Sequence, residues 1–82
     1  MDSEKTVRNA FLDTVESQIE GGDPPEARST YDRLLAAGQP RSQALHLMAA
    51  ALREEMNRML EESTPFDSRR YASLLEKIPA EG

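Results

Sequence analysis

The sequence predicts an all-α protein, a compact four-helix domain with a long, central third helix. Apolar residues recur at helical spacing in every segment between the glycine and proline breaks. No segment alternates apolar and polar residues with the period of two that is typical of a β-strand. The breaks divide the 82 residues into four segments, and residues 1–82 form one domain. We expect the helices at about residues 4–20, 24–37, 40–62 and 67–78.

The first predicted helix carries one apolar stripe. Its members recur every four residues and are Val7, Phe11, Val15 and Ile19, with Leu12 beside them. Gly21 and Gly22 follow, and glycine readily takes the left-handed conformation that ends a helix. The pattern therefore predicts that this helix ends at about residue 20.

The second predicted helix has a strong start signal. Asp23 is a good N-cap, and Pro24 stands where a missing N–H costs nothing. Glu26 falls three residues after Asp23, which is the spacing of a capping box. The apolar face of this helix consists of Ala27, Tyr31, Leu34 and Leu35. Gly38 predicts its end.

The third predicted helix begins near Pro40 and ends at about Glu62. Its apolar stripe consists of Leu45, Met48, Leu52, Met56 and Met59. Residues 44–52 read ALHLMAAAL and are apolar on almost the whole circumference of the helix. Because a helix that is hydrophobic all round is normally buried, we expect this half to form the centre of the domain. The alternative is that Leu47 and its flanking alanines face a second copy or another protein.

The fourth predicted helix follows a break at residues 63–65. Asp67 is placed as its N-cap, and Phe66 is placed like the outer residue of a hydrophobic staple. The apolar positions are Tyr71, Leu74, Leu75 and Ile78. Pro79 predicts the end of the pattern.

The charge distribution argues against nucleic acid as a partner. The net charge is −5, and residues 1–26 carry all of the excess, with seven acids and two bases. Binding to phosphates needs a concentrated basic face, which this chain lacks. We interpret the acidic first helix as a solvated face, with a basic protein partner as the alternative.

Cysteine usage and hydropathy indicate the compartment. The chain has no cysteine, which excludes disulfides and thiolate metal sites and fits a reducing compartment. The start, MDSEKTVRNA, has no basic region followed by an apolar stretch, so it does not resemble a secretory signal. No apolar run approaches the roughly 18–20 residues that span a bilayer. We therefore expect a soluble, cytoplasmic protein that does not bind membranes.

His46, the only histidine, is the candidate ligand residue. One histidine cannot form a multi-histidine metal site, and a mixed site would require carboxylates such as Glu20 or Glu54 to converge on it. Our main interpretation is a histidine at the boundary of the buried face that forms a hydrogen bond with a neighbouring loop or helix end.

Other reactive residue types have simpler structural interpretations. The methionines of the third helix could line an adaptable groove, but methionine is also a common core residue. Glu54 and Glu55 are adjacent rather than facing, as are Glu61 and Glu62, so we interpret both pairs as solvated. Arg69 and Arg70 either bind a carboxylate of the acidic first segment or are exposed. No serine lies in a recognisable nucleophile motif and no glycine loop fits a phosphate, so we predict neither an enzyme nor a cofactor.

Two long runs resemble a known set of proteins. The runs DPPEARSTYDRLLAAGQPRSQALHLMAAALREEM and PFDSRRYASLLEKIP resemble small bacterial all-helical proteins of unknown function. The shared elements are a Pro-Pro-Glu helix start, a Leu-Leu-x-x-Gly stop, an Ala-Leu-His helix and a final Phe-Asp-x-x-x-Tyr helix, over about residues 15–79. The resemblance implies an all-α, bacterial, cytoplasmic protein without an established activity. Pro40 replaces the serine or aspartate cap common in such proteins, and no second histidine follows His46, so the resemblance transfers no metal site and no catalytic residue.

Two functional hypotheses follow from these patterns. The first is a noncatalytic protein–protein interaction or regulatory module, whose partner is an unknown protein or a second copy bound through helix three. Its candidate surface is Leu47, Ala51, Met56 and Met59, and a stripe of Met56, Met59 and Leu60 on a projecting helix end would favour a symmetric dimer. The alternative is a metal- or small-ligand-binding protein that uses His46 with nearby carboxylates.

Overall fold

A computed structural model describes the backbone of residues 2–78 and the side chains of residues 10–78. Its helices are α1 (Asp2–Gly21), α2 (Pro25–Ala36), α3 (Arg41–Glu62) and α4 (Ser68–Glu76), and residues 2–78 contain no β-strand. The predicted all-α class and the order of four helices are confirmed. Each helix begins and ends within two residues of its predicted bounds. None of these helices is long and apolar enough to cross a membrane.

α3 is the longest helix and packs against each of the other three. The shorter α2 shares this central position, since it also contacts α1, α3 and α4. The backbones of α1 and α4 do not come close to each other over the described residues, and these two helices meet only through side chains. The domain is therefore built around the α2–α3 pair, with α1 and α4 each packed against both central helices.

The ends of α1 and α2 follow their glycine signals. Gly22 has a φ of 65°, in the left-handed region, and its N–H donates to the carbonyl of Gln18 at 2.9 Å. Gly38 ends α2 with a φ of 96°. Both conformations are strained for residues with a Cβ, which explains why the sequence places glycine there.

The predicted N-cap of α2 is wrong. Pro24, not Asp23, occupies the cap position, with extended backbone (φ −73°, ψ 153°) and no side-chain cap hydrogen bond. Pro25 then takes the first helical position, so Asp23 is one residue too early to accept an N–H of the first turn and remains exposed. The predicted capping box does not form, because with Pro24 at the cap Glu26 is the second helical residue rather than the third. Pro25, at the first helical position, has the φ that a helix start requires.

The predicted start of α4 is confirmed in both of its parts. Oδ1 of Asp67 accepts the N–H groups of Arg69 and Arg70 at 3.0 and 3.2 Å. The ring of Phe66 lies 5.7 Å from that of Tyr71, at an angle of 59° between the ring planes. This contact joins the residue before the cap to the fourth residue of the helix, which is the hydrophobic staple.

The core lies where the helical stripes meet. The buried apolar residues are Val15, Ile19, Ala27, Leu34, Ala44, Leu45, Met48, Ala51, Leu52, Tyr71, Leu75 and Ile78. Phe11 and Leu12 of α1 are half-buried against this cluster, whereas the side chain of Val7 lies outside the described residues. In residues 44–52 only His46 and Ala50 are exposed, so most of the circumference of this segment contacts its own domain.

Two side chains tie α4 to helices that are distant in sequence. The guanidinium of Arg33, near the end of α2, donates to the carbonyls of Ile78 at 2.9 Å and Leu75 at 3.2 Å. The hydroxyl of Tyr71 donates to Oε1 of Gln18 in α1 at 2.6 Å. Arg33 therefore adds a charged donor to the carbonyl of Leu75, which also accepts the N–H of Ile78 at 3.2 Å, and to the carbonyl of Ile78, just after the end of α4.

Candidate interaction surface

The buried face of α3 changes direction along the helix. Leu45, Met48 and Leu52 are buried, as the stripe predicted. One turn further, Glu55 is buried, whereas Met56 is 40% exposed. The periodicity of the apolar residues did not reveal this change, because either position continues a helical stripe from residue 52.

The four residues predicted as an interaction surface do not form one surface. Ala51 is only 6% exposed and belongs to the core, so its assignment to an interaction surface is wrong: the close packing of helices buries it. Leu47 is half-buried against the same core. Met56 is nine residues from Leu47, which at about 100° per residue is half a turn, so the two face opposite sides of α3.

The C-terminal end of α3 presents an apolar face to solvent. Leu60 is 80% exposed, the largest exposure of any large hydrophobic side chain in the described residues. Met56 lies one turn before Leu60 on the same side, and the half-buried Met59 adjoins both. We call Met56, Met59 and Leu60 the end face.

Charged side chains lie at both ends of the end face. Arg53 is exposed and precedes Met56 by three residues, and Glu61 is exposed and follows Leu60 directly. Among the described side chains neither Arg53 nor Glu61 forms an ion pair. In contrast, Glu62 is within 3.8 Å of Arg58 and 3.5 Å of Arg70. At about 100° per residue, Arg53 and Glu61 lie about 80° apart, so both are on one flank of the end face, Arg53 before it along the chain and Glu61 after it. Among the described side chains, this flank therefore carries a cation and an anion that form no ion pair.

Glu55 contradicts the prediction that both adjacent glutamate pairs are solvated. Its side chain is fully buried, and Oε2 accepts the backbone N–H of Asp67 at 3.1 Å. Oε1 is buried without a hydrogen-bond partner among the described residues. Glu54 and Glu61 are exposed, as predicted. Sequence reasoning missed the burial of Glu55 because its partner is a backbone N–H twelve residues away. Almost every residue has such a group, so the identity of the residue there does not reveal the contact.

His46 lies on the exposed side of α3. Its Nδ1 is 2.8 Å from the carbonyl oxygen of Ser42, and because a carbonyl only accepts, Nδ1 carries the proton in this contact. The predicted partner, a neighbouring loop or helix end, is therefore wrong: the bond is made to the preceding turn of the same helix, and the side chain is exposed. Glu20 and Glu54 are exposed, and no group of three histidine, aspartate or glutamate side chains within residues 10–78 is arranged to hold a metal ion.

The structure shows the partners of two arginines and the environment of the methionines in α3. Arg70 pairs with Glu62 of α3, not with the acidic first segment, whereas Arg41 reaches Glu16 of α1 at 3.6 Å. Met48 is fully buried, which supports its interpretation as a core residue. It does not join the exposed Met56 in a groove.

Surface grooves of about 350 and 380 Å³ lie beside the start of α4. The first lies between the start of α2 and one side of α4 over its whole length, and the second lies along the loop of residues 64–67 and the first turn of α4. Neither includes His46 or the end face. The candidate ligand residue therefore does not open onto either groove.

Comparison with protein-family models, with curated proteins and with solved structures finds no match to this chain. The resemblance to small bacterial helical proteins stays a prediction.

Proposed function

We propose that this protein is a noncatalytic interaction module and that the end face of α3 is its contact surface. The observation that carries the proposal is the exposure of Leu60, at 80%, next to that of Met56 on the same side of one helix. Leu52, two turns earlier on α3, is only 4% exposed. The helix thus changes from a core element to one that offers apolar area to another molecule.

The chemistry of the end face suits a protein partner. Full burial of a leucine side chain contributes about 1.5–3 kcal/mol, a gain that Leu60 does not obtain within its own domain. Met56 and Met59 have flexible, polarizable side chains that adapt to the shape of an apposed surface. A helix with residues at i and i+4 on its exposed side is suited to packing against another helix or in a groove.

The contacts of His46 do not favour the alternative function. The proposal therefore does not extend to metal or small-ligand binding. A bacterial and cytoplasmic setting is part of the proposal, and its support is the resemblance of residues 15–79 to small bacterial helical proteins.

Site-specific photo-crosslinking tests the contact surface. A photoreactive amino acid replaces Leu60 in cells that naturally produce the protein, and mass spectrometry identifies the adducts. The matched control carries the same group at Glu76, which is exposed on α4. We expect a defined protein adduct from position 60, formed with this chain or another, and none of comparable yield from position 76. Equal labelling from the two positions would contradict the proposal.

A further inference from the structure

We propose that the end face is covered by the end face of a second copy, in an antiparallel pair of α3 helices. This inference rests on the proposed function, because it uses the same surface and names its partner. Two features of α3 carry it: the spacing of the two exposed apolar residues and the charges on either side of them.

The spacing makes the end face self-complementary. Met56 and Leu60 are one turn apart, about 6 Å along the helix axis. A two-fold axis between them places Met56 against Leu60 of the partner subunit, and Leu60 against the partner's Met56. Each apolar side chain is then covered by a different one, and the same patch serves both subunits, as a two-fold interface requires.

The charges select the antiparallel orientation. With the axis at residue 58, Arg53 lies opposite position 63 of the partner helix. The partner's Glu61 is then two residues away, about 3 Å along the axis, and the two-fold axis brings the flank that carries Arg53 beside the partner's flank that carries Glu61. Symmetry forms this ion pair twice. A parallel pair would instead place Arg53 beside Arg53 of the partner subunit.

Glu61, in the last turn of α3, also favours a cation from outside the subunit, because Arg58 and Arg70 lie beside Glu62 instead. This turn carries Glu61 and Glu62 and no basic residue. Acidic side chains at a helix C-terminus are unfavourable next to the negative end of the helix dipole. The partner's Arg53 places a positive charge there.

The small size of the contact predicts a weak dimer. The end face covers only about two turns of helix, so the buried area is below the roughly 1,200 Å² of a stable interface. Exposed ion pairs contribute about 0.2–1 kcal/mol each, so here they select the orientation more than they provide affinity. We therefore expect a reversible equilibrium, visible at high protein concentration.

Sedimentation equilibrium with charge-reversed variants tests the pair. Between about 20 μM and about 1 mM, we expect the average mass to rise from monomer toward dimer. Arg53→Glu and Glu61→Arg should each weaken the dimer about tenfold, because each replaces two attractions by two repulsions. The double variant restores both ion pairs and should return to within about twofold of the wild type.

Controls separate this result from a general effect of charge. Lys77→Glu changes the net charge as Arg53→Glu does, at the exposed residue that follows α4, and should leave the dimer unchanged. Circular dichroism verifies that every variant is folded. All substituted side chains are exposed, so none removes a core contact.

The outcomes distinguish this inference from the proposed function. A wild-type chain that stays monomeric at every concentration overturns the pair, and adducts with another protein from position 60 would then leave the proposed function standing. If position 60 also gives no specific adduct, both fail. A dimer that ignores both charge reversals, or that the double variant does not restore, overturns the antiparallel arrangement.

Discussion

The buried carboxylate of Glu55 accepts the backbone N–H of Asp67, with 3.1 Å between Oε2 and the nitrogen. Asp67 itself accepts the N–H groups of Arg69 and Arg70. In a capping box, the third residue of the helix would bond the N–H of the cap, but that residue here is Arg70. α3 therefore provides a bond that α4 cannot make for itself. With Arg33 at the other end, α4 has an acid at its start and a base at its end, which complements its dipole.

Glu55→Ala should lower the free energy of unfolding by about 2–4 kcal/mol, because it leaves a cavity and an unpaired N–H on Asp67. Glu55→Gln should cost about 1 kcal/mol, since the amide oxygen can still accept that N–H. Urea unfolding measures both. Glu54→Ala, at an exposed neighbour, is the control. If Glu55→Ala and Glu54→Ala unfold at the same urea concentration, the tertiary cap does not stabilise the fold.

Arg33→Ala should lower the free energy of unfolding by about 1–2 kcal/mol, because the carbonyls of Leu75 and Ile78 lose a charged donor. Arg33→Lys should recover only part of this, since one ammonium does not reproduce the two-pronged contact. Hydrogen exchange should localise the loss to α4. Arg28→Ala removes only an exposed ion pair with Asp32 and serves as the control. A uniform increase of exchange over all four helices would argue against a local role.

Tyr71→Phe should cost about 1 kcal/mol at neutral pH, through the lost hydrogen bond to Gln18. Burial raises the pKa of Tyr71 to about 12. The unfolded pKa is about 10, so the stabilisation from this group is fully present below pH 10 and is lost as the pH rises through about 12. Urea unfolding of both proteins at about pH 8 and about pH 11 tests this. The difference in free energy of unfolding between the wild type and Tyr71→Phe should be smaller at the higher pH. An equal difference at both pH values would contradict this prediction.

Leu52→Ala and Leu60→Ala form a matched pair on one helix. Leu52→Ala should lower the free energy of unfolding by about 2–5 kcal/mol, because it removes a core side chain. Leu60→Ala should change it by less than about 0.5 kcal/mol, because Leu60 is 80% exposed. Thermal unfolding of both variants is measured on dilute protein, so that self-association does not contribute to the stability. A large loss for Leu60→Ala under these conditions would mean that Leu60 packs within its own domain.

Gly22→Ala should lower the free energy of unfolding by about 1–2 kcal/mol, because a Cβ is unfavourable at a φ of 65°. Gly21→Ala is the control, at a helical position where it should raise the stability by about 0.5–1 kcal/mol. An added Cβ meets no atom within 4 Å at either position, so backbone conformation alone separates the two variants. Equal effects, measured by urea unfolding, would exclude that explanation.

Local sequence patterns predicted most of the fold, because the residues that start and end its helices act within their own segment of the chain. Gly22, Gly38 and Asp67 act through the conformation or hydrogen bonds of their own chain segment, and each does what its position indicated. Asp23 failed for a reason that is also local: two adjacent prolines compete for the start of α2, and residue type does not show which takes the cap position.

The surface of α3 could be predicted only in part. Met56, Met59 and Leu60 were recognisable as a stripe that could remain exposed. Ala51 was assigned to an interaction surface although it is buried in the core, and Leu47 although it is half-buried against that core. The angular position of a residue on a helix predicts which residues share its side. It does not predict how far along that side another helix packs, and therefore does not predict which of those residues are buried.

The sequence by itself determined four helices, their bounds and the apolar side of each, because helical periodicity and chain-breaking residues act over one or two turns. Only the tertiary structure decided that Glu55 is buried while Leu60 is exposed. Those two environments depend on where α4 begins and how far the core extends along α3. Both are set by contacts between segments that are distant in sequence.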